Sequence, residues 1–96
     1  MSDSLPRRDV VIQNPLGMHM RPAGIFVKKA QEFESRIKVI REGYGVDGKS
    51  IIDVITLGAA KGTKLTIEAE GNDAQAAVDA LAELVENSFG IGEQPE

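Results

Sequence analysis

The feature that most constrains this chain is the two-residue segment Glu42-Gly43, which joins two strand-like runs with no room for a crossover. Arg36-Ile37-Lys38-Val39-Ile40-Arg41 alternates in polarity, and Tyr44-Gly45-Val46-Asp47 follows at once. Strands joined this tightly run antiparallel, because a parallel pair needs a connection of about a dozen residues or more. A doubly wound parallel sheet is therefore disfavoured.

The other segments fit around that hairpin. Asp9-Val10-Val11-Ile12-Gln13 is a short β-branched strand with Val10 and Ile12 on one face. From about His19 to Phe33, the residues Ala23, Phe26, Val27, Ala30 and Phe33 recur at helical spacing, and Pro22 falls near the first turn, where a missing N–H is harmless. Ser50 with Asp53 three residues later resembles a capping box, so Ile51 to Leu57 is expected to be a short helix despite its β-branched residues. Gly58 and Gly62 mark its exit. Lys64 to Glu70 alternates as a half-buried strand, and Gly71-Asn72-Asp73 opens a third helix with Asn72 as the expected cap. Its stripe is Ala74, Ala77, Val78, Leu81, Leu84 and Val85, and it should end near Phe89-Gly90.

The order is βαββαβα, with one apolar face on each strand and one apolar stripe on each helix. The fold that buries them all is an α+β open-faced two-layer sandwich, in which three helices cover one face of a four-stranded, mainly antiparallel sheet and leave the other to water. At 96 residues a single domain is expected, with its core over about 8–89 and tails at 1–7 and 91–96.

Composition removes whole classes of function. There is no cysteine, so neither a disulfide framework nor a thiolate metal site is available, and one histidine without nearby clustered carboxylates makes a metal centre the least favoured reading. No apolar run approaches the ~20 residues that span a bilayer, and the polar start Met1 to Arg8 lacks a signal-peptide core. A soluble cytoplasmic protein without membrane insertion is expected. The net charge of −4 argues against general nucleic-acid binding. Residues 1–41 nevertheless carry eight Lys/Arg against four Asp/Glu, while residues 42–96 carry three against eleven. The basic share surrounds the histidine, where a positive patch can steer an acidic partner or a phosphate, although an ordinary mixed surface explains the same numbers equally well.

That histidine lies in Gly17-Met18-His19-Met20-Arg21-Pro22-Ala23, at a strand-to-helix junction. Phosphoryl transfer to nitrogen needs a neutral imidazole, room for in-line attack, and donors where charge appears on the phosphoryl oxygens. Gly17 permits close approach, the first N–H groups of the helix at Met20 and Arg21 face outward, and the guanidinium of Arg21 offers a two-point fork. An isolated histidine is as well explained as a helix cap or a core residue. Context decides between these readings.

The segment from Gly17 to Ala23 resembles the active-site motif of the HPr family, the histidine phosphocarriers of the bacterial phosphotransferase system. Gly48-Lys49-Ser50-Ile51-Ile52-Asp53-Val54-Ile55-Thr56-Leu57-Gly58-Ala59 is similar to the family's second motif, and Lys61-Gly62 ahead of Leu65 to Gly71 is similar to its third; the resemblance covers roughly residues 8–89. It implies a stoichiometric carrier rather than a stand-alone turnover enzyme, phosphorylated at Nδ1 of His19 by enzyme I and relieved by enzyme IIA domains, with no cofactor. Arg21 takes the phosphate-stabilising role, and Gly17, Met20 and Arg21 form the phosphate-binding end of the first helix. Ser50 matches a serine that, in some bacteria, an HPr kinase/phosphorylase modifies, a change that weakens transfer through the histidine.

Ile51, Ile52 and Val54 cannot all face the core of so short a helix, and Ile52 is the one expected outside. With Met20 and Ile51 it would form the apolar docking patch for partners, rimmed by Lys28 and Lys49. A carrier presenting one face to successive partners is expected to be a monomer. Met20 stands where the family usually has a small residue or threonine, Asp53 where it often has glycine or lysine, and Leu16 where some members carry an asparagine. Met20 and Asp53 flank the docking face and so bear on partner identity rather than on phosphotransfer. The alternatives are a nitrogen-related regulatory paralogue within the family, a small phosphatase using an arginine-bearing loop, and a non-catalytic interaction domain.

Overall fold

The computed structural model, which describes residues 4–91, shows the expected βαββαβα order. The strands are β1 (Arg7–Val11), β2 (Arg36–Arg41), β3 (Tyr44–Asp47) and β4 (Lys64–Glu70); the helices are α1 (Met20–Ala30), α2 (Ile51–Thr56) and α3 (Ala74–Glu86), followed by a 3₁₀ turn at Ser88–Gly90. The sheet order is β1-β4-β2-β3 and every adjacent pair is antiparallel. Glu42 and Gly43 both adopt positive φ, +50° and +83°, as a two-residue hairpin turn of primed type requires.

Alternate residues of each strand enter one core. Val10, Ile37, Val39, Val46, Leu65 and Ile67 line the inner sheet face, and Phe26 and Val27 of α1, Val54 of α2, and Val78, Leu81 and Val85 of α3 pack upon them. The outer face is polar in an ordered way. Arg7, Glu68, Lys38 and Asp47 stand directly opposite one another on β1, β4, β2 and β3, so charge alternates across the whole sheet. Arg7 and Glu68 form an ion pair at 3.3 Å.

Four local details depart from the sequence reading. β1 begins at Arg7, inside the expected tail, because Arg7 has a cross-strand partner in Glu68 and the Pro6 carbonyl accepts the Ala69 N–H at 3.1 Å. α1 stops at Ala30, and Phe33 packs on the core from the turn that follows. Ile91 also packs against the core rather than leaving in a tail; the rest of that expected tail, 92–96, and residues 1–3 lie outside the described residues. Finally, Asp73 rather than Asn72 occupies the N-cap of α3.

The Asp73 carboxylate does not cap its own helix. It accepts from the backbone N–H groups of Glu34 and Ser35, both at 2.9 Å, and from the buried Ser35 hydroxyl at 2.5 Å. Loop donors that no strand satisfies are thereby paired, and the start of β2 is joined to the start of α3. The Ser35 hydroxyl first, then the Glu34 N–H, hold this carboxyl below its ordinary value of 3.8. A carboxyl with a folded value depressed below the unfolded one contributes stability above the unfolded value and loses it as pH falls through the folded value. Thermal denaturation between about pH 2 and pH 7 should show stability declining below about pH 4, with Asp73→Asn lowering Tm at neutral pH and flattening that acid limb. An unchanged acid limb in the variant would remove Asp73 as its source.

Candidate functional site

The site is built where β1 runs out. Ile12 is buried and still pairs with the distant loop, its N–H donating to Thr63 at 3.0 Å and its carbonyl accepting from Gly62 at 2.8 Å. The chain then turns around Asn14, which is 1% exposed; its Nδ2 donates to the Gly17 carbonyl at 2.7 Å, and the Gly17 N–H donates back to the Asn14 carbonyl at 3.1 Å. Gly17 has φ +74°, and a Cβ there would stand 2.6 Å from the Ala59 carbonyl oxygen and 2.9 Å from the Ala60 Cα. Only glycine fits both requirements. Met18, 4% exposed, is anchored in the core while its N–H donates to Ala59 at 2.8 Å.

His19 follows as the N-cap of α1, extended at φ −86° and ψ −169°. Its carbonyl accepts the Ala23 N–H at 3.0 Å, but its half-buried ring makes no capping hydrogen bond. Among the described residues, the N–H groups of Met20 and Arg21 have no acceptor, and Pro22 has no N–H to offer. The helix therefore presents two backbone donors at its positive end, and no acidic residue in its first turn neutralises them. Arg21 is exposed and, among the described residues, makes no ion pair or hydrogen bond. An anion placed beside the imidazole would meet two N–H groups and an exposed guanidinium, an arrangement that can stabilise charge on a transferring phosphoryl group.

The structure brings the second predicted segment close to the first. The Cδ1 of Ile51 lies 3.6 Å from where a Cβ on Gly24 would stand, and Gly24 is one helical turn beyond Met20. Met20 and the start of α2 thus share one side of the molecule, with Met20 67% and Ile52 69% exposed and Ile51 partly buried against the core. Ser50 caps α2, its Oγ accepting the Asp53 N–H at 3.3 Å. Lys28 is exposed. Lys49 donates from Nζ to the Phe33 carbonyl at 2.6 Å, in the turn after α1.

Two residues in this region carry more than the sequence indicated. Asn14, unplaced from sequence alone, fastens the loop ahead of His19; its only advance signal is an Asn-Pro pair at a strand end. Arg41, read simply as a strand residue, reaches the end of α2, and its signal is a charge at the same strand parity as Ile37 and Val39. Among the described residues no group of three or more metal-ligating side chains occurs.

The structure is a small four-stranded open-faced sandwich with a histidine at the mouth of its first helix. The family model for the PTS HPr component phosphorylation site matches residues 6–87. The chain is 44% identical over 87 residues to the phosphocarrier protein HPr of Cupriavidus necator, covering 91% of this chain and 98% of that one. The crystal structure of HPr-C-His from Thermoanaerobacter tengcongensis superposes with a TM-score of 0.87 at 36% identity, over 93% of this chain and all (100%) of that one. A crystal structure of an HPr dimer from the same organism gives 0.71 at 36% identity, over 97% and 100% of the two chains. This chain belongs to the HPr family, the phosphocarrier proteins of the phosphotransferase system.

Gly17→Ala should therefore cost roughly 1–3 kcal/mol from the positive φ alone. The approach to the Ala59 oxygen adds to that cost. Chemical denaturation measures the total, and a variant as stable as the parent would contradict the close packing of the two loops.

Proposed function

We propose that this protein accepts a phosphoryl group on His19 from phosphorylated enzyme I and passes it to enzyme IIA domains for sugar uptake, working in the cytoplasm as a stoichiometric monomeric carrier. The observation that carries this reading is the position of His19 at the N-cap of α1, beside two backbone N–H groups and an Arg21 side chain for which no partner occurs among the described residues. The neutral ring nitrogen attacks phosphorus in line, the bond to the donor nitrogen breaks as the new one forms, and Arg21 with the Met20 and Arg21 N–H groups holds the equatorial oxygens. Donors without a metal hold the group firmly enough to travel and weakly enough to leave. The HPr family membership supports Nδ1 as the acceptor atom.

Met20 and Ile52 are the exposed centre of the proposed docking patch, with Ile51 beneath and Lys28 and Lys49 near its rim. Where a host has HPr kinase/phosphorylase, we assign Ser50 as its target. A dianion on that Oγ would suit the helix end but would place charge next to Asp53 and beside the apolar Ile52.

Incubation with phosphoenolpyruvate and enzyme I should attach one phosphoryl group per chain, labile in acid and stable in base, and none to His19→Ala. Arg21→Ala should slow transfer roughly 100-fold, the scale of losing one charge-stabilising donor. Ser50→Ala should keep the label and lose about 1 kcal/mol of stability with its cap. Equal labelling of His19→Ala at a residue other than Ser50 would overturn the assignment, and steady release of inorganic phosphate would indicate a phosphatase. Sedimentation of the labelled and unlabelled protein reports the oligomeric state.

A further inference from the structure

Arg41 closes β2 at the parity of Ile37 and Val39, the residues that face the helical layer, where the alternation calls for an apolar side chain. Its Nη1 donates to the carbonyls of Leu57 at 2.6 Å and Gly58 at 3.1 Å. Leu57 is the C-cap of α2, and Gly58, at φ +63°, turns the chain away from the helix. Carbonyls at such an end have no onward partner within the helix, so a guanidinium is well suited to gather them. Among the described residues Arg41 makes no ion pair with a carboxylate, and these two carbonyls are its hydrogen-bond partners.

The next residue along is the one on which the histidine loop rests. Ala59 accepts the Met18 N–H at 2.8 Å, and its oxygen lies against Gly17 so closely that no Cβ fits between them. His19 follows Met18 directly. A continuous sequence of short contacts thus leads from the end of β2, through the carbonyls after α2, to the backbone immediately before the histidine. We infer that Arg41 is a positioning residue for phosphoryl transfer. By fixing the carbonyls of Leu57 and Gly58 it fixes the neighbouring Ala59 carbonyl, and through Gly17 and Met18 it sets where the His19 ring stands relative to the helix donors. It touches no phosphoryl oxygen itself. This role rests on the reading of His19 as the carrier residue.

The rate of in-line transfer is sensitive to displacement, since about 1 Å of misplacement costs on the order of a hundredfold. Arg41→Met keeps length and apolar packing while removing every donor; Arg41→Lys keeps a single charged donor. With each chain supplied as the substrate of enzyme I and phosphoenolpyruvate, Arg41→Met should lower kcat roughly tenfold with little change in KM, and Arg41→Lys should recover part of the loss. Amide hydrogen exchange at Met18, read by NMR on the unphosphorylated proteins below their unfolding temperatures, should accelerate in Arg41→Met and recover partly in Arg41→Lys. A residue that merely capped α2 would lower Tm while leaving kcat and Met18 exchange at parent values, and that result overturns the positioning role. Should the parent itself take no label on His19, the carrier reading fails and the positioning role falls with it. Parent labelling with unchanged Met18 exchange in Arg41→Met overturns the inference about Arg41 alone.

Discussion

The candidate site is built around one backbone contact, the hydrogen bond from the Met18 N–H to the Ala59 carbonyl beside a glycine whose positive φ and close neighbours leave no room for a Cβ. It joins two loops some forty residues apart in sequence, one leaving β1 and the other leaving α2. Each is fixed by the other, and by anchors behind it: Asn14 and the buried Met18 side chain on one side, Arg41 and the Ile12 pairing on the other. A helix end becomes an oriented anion site only when the residue at its cap is held in place, and here that restraint comes from the two loops.

The elements were legible in the sequence where a single period governed them. β2, β3 and β4 lie where alternation puts them, and the turn at Glu42-Gly43 fixes the antiparallel sense before any other choice is made. The cap of α2 was legible as well, because Ser50 and Asp53 interact across one turn. What sequence did not disclose depends on contacts between distant segments. Asn72 has the better local claim to cap α3, but the carboxylate of Asp73 is bound by Ser35 and Glu34, partners some forty residues earlier. The full length of β1 likewise depended on Glu68 standing opposite Arg7.

The candidate site divides along the same line. Its candidate residues could be picked out because an imidazole, an arginine and a helix start are adjacent in sequence, and family resemblance suggested a role for them. Its supports were not, since Asn14 and Arg41 act through hydrogen bonds to carbonyls, and a carbonyl belongs to every residue alike. Lys49 is a further case. A lysine beside an apolar patch suggests a docking rim, and its bond to the Phe33 carbonyl in the turn after α1 was not legible from that position. That bond joins the turn after α1 to the segment before α2, and Ile51 packs over Gly24, so the exposed Met20 and Ile52 lie on one side of the molecule.

The alternating row Arg7, Glu68, Lys38 and Asp47 on the bare side of the sheet has a consequence for how the molecule meets others. Four charges that cancel within a few ångströms of one another produce a field that decays steeply with distance, so a macromolecule approaching that side feels neither pull nor push from them. Their hydration would have to be surrendered for any intimate contact. A face whose charges cost hydration to cover is disfavoured as a landing place, and some of the specificity of a small protein can reside in the face it declines to use.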